Sequence, residues 1–242
     1  MREADQLLEL LAGVLAGADG AQSAAARLCA AIPRLLSVTG ASITVVARHG
    51  VRETQCVSGP LAAQIEELQL TSGIGPCVDA FVWGNPVLVP DLADLRDVRW
   101  PGFAADATTA GVAAVFAFPL QIGAIRLGVL DLCRDRRGGL SGRELTDALL
   151  VADVATLTLL AMLGKSPEDA LGEAWHDSSL LHRSEIHQAT GMAMVQLGVG
   201  VVEAFVGLRA LAYAEGQPLS EIARSVVARE LRLSSTAPGE GM

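Results

Sequence analysis

LHRSEIHQATGMAMVQLGVGVVEAFVGLRALAYAEGQPLSEIARSVVARELRL, residues Leu181–Leu233, divides into three amphipathic helices with little freedom. The first ends at Leu197, before Gly198 and Gly200, whose lack of a Cβ lets the chain leave the helix. In the second, Val201, Phe205, Leu208 and Ala212 fall at i, i+4, i+7 and i+11, one face of a 3.6-residue helix. Gly216 closes it, and Pro218 opens the third at a first-turn position where the missing N–H costs nothing. Leu219, Ile222, Ala223, Val226 and Val227 then give i, i+3, i+4, i+7 and i+8, the cleanest stripe in the chain. With Ala189, Gly191 and Ala204 read as small residues for close helix approach, and Met194 as a flexible gap-filler, the stretch predicts a compact three-helix module.

Upstream the grammar differs. Met1 to about Ala16 is an amphipathic helix striped by Leu7, Leu8, Leu11, Val14 and Leu15, able to pack on its own domain or on a second chain. After Asp19-Gly20 a second helix runs to about Ser37, interrupted by Pro33. Residues 42–47 and 51–57 then read at period two, a β-hairpin turning at Arg48-His49-Gly50 with one wet face on its second strand. A helix at about Leu61–Leu70, a turn at Gly73-Ile74-Gly75 and a short helix to Trp83 precede a strand at Val87–Val89. Asp91–Gly111 is a long connection, Asp-rich at its start, containing Arg99-Trp100-Pro101 and a candidate helical turn, of a length that usually marks a functional lid. Two near-continuous apolar strands, Val112–Leu120 and Ile125–Cys133, are expected to be central and covered on both faces. Ser141-x-x-Glu144 is a capping box that starts a long apolar helix reaching Leu163. Ser166-Pro167-Glu168-Asp169 starts another helix, running into the first helix of the C-terminal module. Ala170, Leu171, Ala174, Trp175 and Leu181 are a candidate seam on it for pairing between subunits.

The fold expected is therefore α+β: an antiparallel sheet flanked by helices, then a three-helix bundle joined by a long helix. The boundaries expected are a sensor domain over 1–164, a linker helix over 165–180, the helical module over 181–233 and a disordered tail over 234–242. Of the 242 residues 51 % are hydrophobic and 19 % charged, which suits packed domains. No uncharged apolar run reaches the ~18–20 residues of a membrane span, and the charged first residues are not a secretory signal, so a cytoplasmic protein without membrane contact is expected. Cys29, Cys56, Cys77 and Cys133 are scattered and read as reduced, buried hydrophobes.

Chemistry of the enzymatic kind is not visible. His182 and His187 are five apart and face different ways on a helix, His49 and His176 stand alone, and no phosphate loop, nucleophile elbow or carboxylate pair stands out. Neither enzyme activity, metal nor cofactor is expected. The net charge of −9 argues against non-specific nucleic-acid binding, which rests on phosphate neutralisation. Within 181–233, Arg183, Arg209, Arg224, Arg229 and Arg232 are balanced by Glu185, Glu203, Glu215, Glu221 and Glu230, so RNA binding there requires arginines gathered on one face.

Ala189-x-Gly191-x-x-Met194, Glu203-Ala204-Phe205-x-x-Leu208-Arg209 and Ile222-Ala223-x-x-Val226-Val227 together resemble the ANTAR domain, a family that binds hairpin RNA in nascent leaders and antiterminates transcription. Thr190 stands where that family usually has Lys. The resemblance implies a hairpin RNA partner, with Arg183, His187, Thr190, Arg209, Arg224 and Arg229 as the candidate contacts. Arg209, next to core Leu208, emerges at the bundle's edge, where it contacts either RNA phosphate or Glu203, Glu215 or Glu221. Tyr213 either stacks on a base or packs across the helices.

A second resemblance covers roughly Asp19–Leu163. Gly73-Ile74-Gly75-Pro76-Cys77, Gly84-Asn85-Pro86-Val87-x-Val89-x-Asp91, Trp100-Pro101, Pro119-Leu120 and Leu127-Gly128-Val129-Leu130 look like the GAF domain of bacterial regulators. It implies a sensory or dimerisation module, with a small molecule or signalling protein as partner and a pocket between sheet and lid. Cys77, Trp100, Phe103, Val115 and Cys133 are the candidate lining, with core packing as the alternative role of both cysteines. The expected whole is a homodimeric, signal-responsive RNA-binding antitermination regulator; the alternative is a dimeric sensor or scaffold whose helical bundle holds proteins and not RNA.

Overall fold

The computed structural model describes residues 2–16, 23–46, 52–94, 99–163 and 178–233. They fall into two compact units, Met1–Ser179 and Leu180–Met242. The first unit is built on β1 (Gly40–Val46), β2 (Arg52–Ser58), β3 (Val87–Val89), β4 (Ala114–Ile122) and β5 (Ile125–Arg134). Their order is β2-β1-β5-β4-β3, and every described pairing is antiparallel. The two long apolar runs take the middle of this sheet, as their composition demands. They meet at a two-residue turn, Gly123-Ala124, with Gly123 at φ 57°. Gly128 sits where β5 presses on β1: a Cβ there would lie 2.0 Å from the Thr44 carbonyl oxygen, so no side chain fits.

Period-two alternation sorts the strands onto two faces. One face carries Ala41, Ile43, Phe116, Phe118, Leu120, Leu130 and Leu132, all buried under three helices: α1 (Arg2–Ala16), α2 (Ala24–Leu35) and α6 (Gly142–Leu163). Leu7 and Leu11 anchor α1, and Leu28, Cys29 and Ile32 anchor α2, which continues through Pro33. Helix α6 starts at the expected capping box: the Ser141 N–H donates to Glu144 Oε2 at 2.8 Å and the Glu144 N–H to Ser141 Oγ at 3.2 Å. Arg134 of β5 joins the same Glu144 at 2.5 Å, tying the strand's end to the helix start. Helix α6 is, among the described residues, one helix long and apolar enough to cross a membrane; here Ala148, Val151, Ala155 and Leu159 lie buried against the sheet.

The opposite face is covered by α3 (Pro60–Ser72), α4 (Pro76–Trp83) and α5 (Pro101–Thr109). Here the sequence reading needs two corrections. The second hairpin strand has no freely wet face: α2 covers one side, where the Cys56 thiol donates to the Ala25 carbonyl at 3.1 Å. On the other, Thr54 and Arg52 reach α3. The connection after Asp91 holds a nine-residue helix, α5, where a turn was expected; Phe103 and Ala107 bury it. The hairpin turn at Arg48-His49-Gly50, the helix expected from Pro167, its subunit seam and the tail from residue 234 lie outside the described residues.

The second unit contains α7 (Ser178–Leu197), α8 (Val201–Glu215) and α9 (Leu219–Val227), the three helices the sequence marks. The α7–α8 corner bends by 103°. Gly198 and Gly216, at φ 68° and 62°, end α7 and α8 in the left-handed region that favours glycine. Ile186, Ala189, Ala193, Ala204, Leu208, Ala212, Leu219, Ile222, Ala223 and Val226 form its core. Val201, read as part of the buried stripe, is exposed: the inward face of α8 centres on Ala204, one turn further along.

Candidate functional site

On the α3–α4–α5 face of the sheet, the five residues expected to line a pocket all enter one buried cluster: Cys77 of α4, Trp100 before α5, Phe103 of α5, Val115 of β4 and Cys133 of β5. Trp100 and Phe103 meet edge-to-face at 6.5 Å, and the Trp100 indole N–H donates to Asp79 Oδ2 at 3.1 Å. The Arg99 guanidinium lies 4.8 Å from the Trp100 ring and 5.7 Å from that of half-exposed Trp83. Burial pushes the Asp79 carboxyl up, against the indole bond and Arg99, which pull it down. Burial also holds both thiols protonated, Cys77 well above its ordinary value and Cys133 up to about 12, so neither is a nucleophile at neutral pH. Among the described residues no three or more His, Cys, Asp or Glu side chains come together to hold a metal.

Beside this apolar cluster runs a polar network that sequence reading missed. Glu66 of α3 accepts hydrogen bonds from Ser42 at 2.6 Å, Thr44 at 2.8 Å and Thr54 at 2.9 Å, three hydroxyls from two strands. Gln69, one turn on and buried, bridges two elements: its Oε1 accepts the Cys77 N–H at 2.7 Å and its Nε2 donates to Asp131 Oδ2 at 3.1 Å. Gln69 thereby caps α4, whose N-cap Gly75 has no side chain for it. Gly75, at φ 142°, also leaves room for the amide, since a Cβ there would lie 2.6 Å from Gln69 Oε1. Asp131 is buried in the middle of β5. Desolvation, then the nearby Glu66 charge, lift its carboxyl well above the usual range. The available signal was a lone acid inside the apolar run Leu127–Cys133.

In the second unit the six candidate RNA contacts have different fates. His187 is exposed on α7. Arg224 of α9 is exposed and pairs with Glu185 of α7 at 3.6 Å. Arg209, half-buried on α8, lies 6.0 Å from the Phe205 ring; of its expected acidic partners, Glu203 accepts the Gly200 N–H at 3.1 Å and so caps the start of α8. Arg229 is exposed just past α9 and adopts φ 64°, a left-handed conformation usually given to glycine. The side chain of Arg183 lies outside the described residues. Thr190 is a correction: it is buried, and its hydroxyl donates to the Ile186 carbonyl at 2.7 Å, so in this conformation it is not presented to a ligand.

Gly191 is a correction in the other direction. It is exposed, and a Cβ built on it meets nothing within 4 Å, so it serves no close helix approach inside the unit. It shares the outer face of α7 with His187 and with Val195, which is 85 % exposed. Tyr213 is likewise exposed on α8 and does not pack across the helices.

The fold of the first unit, a five-stranded antiparallel sheet between two helical layers, is that of a GAF domain. Similar solved structures include the GAF domain of a phosphoenolpyruvate-protein phosphotransferase from Coxiella burnetii, at 14 % identity, TM-score 0.51, over 65 % of this chain and 93 % of that one. The GAF domain of the Acinetobacter phosphoenolpyruvate-protein phosphotransferase is similar at 10 % identity, TM-score 0.51, over 68 % and 96 %. So is an N-acylhomoserine lactone dependent LuxR family transcription factor from Burkholderia cenocepacia, at 19 % identity, TM-score 0.52, over 69 % and 100 %. At these identities the likeness is one of fold. No curated protein matches the chain. Residues 177–227 match the ANTAR domain, so a GAF-type unit is followed here by an ANTAR domain.

Proposed function

We propose that this chain is a non-enzymatic, homodimeric, cytoplasmic regulator in which the GAF unit receives a signal and the ANTAR unit binds hairpin RNA and antiterminates transcription. The observation that carries the reading is the succession of the two domains in one chain. The signal is a small molecule or a signalling protein acting at the face that holds Cys77, Trp100, Phe103, Val115 and Cys133, and it works by favouring one of two arrangements of the dimer.

Two positions in the ANTAR unit support an external partner. An exposed glycine inside a helix costs about 1 kcal/mol relative to alanine, and Gly191 returns nothing to its own fold. Arg229 occupies a left-handed position where glycine is the unstrained choice. Both are expected where a partner's backbone comes close or a cation must be presented. With them go His187, Arg209 and Arg224, and Arg183 by its place in the sequence.

The test is fluorescence anisotropy of labelled hairpin RNA titrated with the full chain at two salt concentrations, with duplex DNA as control. Salt-sensitive RNA binding supports the reading. Gly191→Ala sharpens it: the variant gains about 0.5–1 kcal/mol of helix stability and loses RNA affinity. A stabilised variant with unchanged affinity removes α7's outer face from the interface.

A second reading also has an observation behind it. Val195, Val202, Val206 and Tyr213 are all exposed in the ANTAR unit, an apolar surface that suits a protein partner better than phosphate. If the full chain binds no hairpin at either salt concentration yet self-associates, the ANTAR unit is a protein-binding scaffold.

A further inference from the structure

Helix α3 is fastened to the sheet by acids. Of the roughly four lone-pair sites of a carboxylate, three on Glu66 are taken by the hydroxyls of Ser42, Thr44 and Thr54. Asp131, directly opposite Ser42 in the β1–β5 register, has Oδ2 bonded to the Gln69 amide and the Cys77 thiol beside it, while its buried Oδ1 lacks a partner within hydrogen-bond geometry. Each surrounding element presents a known set of groups to this spot. Helix α3 offers Glu66 and Gln69, β1 offers only the two hydroxyls, and the β4 partner is Ala117. Helix α4 offers the protonated Cys77 thiol, and β5 itself Cys133. The nearby cation, Arg52 of β2, donates through Nη2 to the Gln69 carbonyl at 2.7 Å. An ionised Asp131 would thus face Glu66 with no positive group bonded to either. A neutral Asp131 turns Oδ1 into a donor and gives Glu66 its fourth hydrogen bond.

We propose that a proton held between Asp131 and Glu66 latches helix α3 onto the sheet. Asp131 carries it and donates it to Glu66. When it leaves to solvent, two carboxylates oppose each other across the α3–β5 contact, and α3 is pushed from the face that holds the apolar cluster. The direction of the pH effect follows from burial, which raises the proton affinity of Asp131 above that of the unfolded chain. The latch is fully closed below the ordinary aspartate range and opens as pH rises through the folded-state value. The sensor unit is therefore a proton-gated element, whether or not the ANTAR unit binds RNA.

Two measurements on the full chain decide the matter. Infrared spectroscopy at about neutral pH is expected to show the carbonyl band of a protonated carboxylic acid, and Asp131→Asn is expected to remove it. Amide exchange of residues 60–72, corrected for the intrinsic rate, is expected to accelerate roughly tenfold as pH rises through the folded-state value of Asp131. In Asp131→Asn, whose amide donates permanently to Glu66, it stays flat. A wild-type chain without the band, or an Asn variant that keeps the band or the same acceleration, overturns the proposal. Should the Asn variant not fold, Glu66→Gln replaces it: exchange of residues 60–72 that no longer accelerates with pH supports the opposed-carboxylate latch, and an unchanged acceleration overturns it.

Discussion

The two faces of the sheet are made by the same strands and solve different problems. Toward α1, α2 and α6 the centre of the sheet is apolar: Ile43, Phe116, Phe118, Leu120, Leu130 and Leu132 sit in one dry layer, with buried Arg134 at the end of β5 turned to Glu144 of α6. Toward α3, α4 and α5, Ser42, Thr44, Thr54 and Asp131 stand on β1, β2 and β5 beside an apolar cluster built mainly on β3, β4 and the Val129 and Cys133 positions that flank Asp131 on β5. A dry layer has one way of being full. A layer of hydroxyls and carboxyls has several states of protonation and hydrogen bonding close in energy, and that makes a face responsive. The first face holds the fold; the second is the one at which the proposed signal acts.

That contrast is breakable. Phe118→Ala, on the dry face, is expected to cost about 3–5 kcal/mol, read as a fall in the urea midpoint followed by tryptophan fluorescence, with the pH dependence of stability unchanged. A shift in the pH profile would mean that the two faces are coupled. Thr54→Val, on the wet face, keeps volume but removes one donor to Glu66; about 1.5–3 kcal/mol is expected for a hydrogen bond to a charged group. Its effect should grow as pH rises, when Glu66 must be held without help from Asp131. A loss that is the same at all pH values separates the hydroxyls from the acid pair. Ser141→Ala, at the start of α6, should cost only about 1 kcal/mol, without pH dependence near neutrality.

Most of this framework was legible because it obeys local rules. The Ser141–Glu144 box, the glycine ends of α7 and α8 and the two central strands follow from spacing alone, and the structure has them within a few residues. Helix α5 was not legible: Pro-Gly-Phe-Ala-Ala-Asp-Ala-Thr-Thr carries no amphipathic stripe, and its helicity comes from burying Phe103 and Ala107. In α7 the error was a rotation. Thr190 was a candidate RNA contact because it stands where the ANTAR family usually has Lys, and Gly191 was read as a small residue for close helix approach, yet adjacent helical residues lie about 100° apart. The Thr190 hydroxyl finds its partner in the Ile186 carbonyl, so the polar residue goes inside and the glycine outside. The five residues expected to line a pocket share one buried cluster, while the acid beside them was passed over, since a sequence does not show which polar groups a buried acid will meet.

The strand order β2-β1-β5-β4-β3 leaves two rims open. Both are blunted: β3 is three residues long between Pro86 and Pro90, neither of which has an N–H to offer, and β2 bears Arg52 and Glu53 and is paired with β1 through an irregular register. Such rims resist the edge-to-edge stacking by which sheets grow into fibrils. Neither rim is a ready template for a strand of a second copy, and two prolines and a slipped register are what stand between this sheet and open-ended growth.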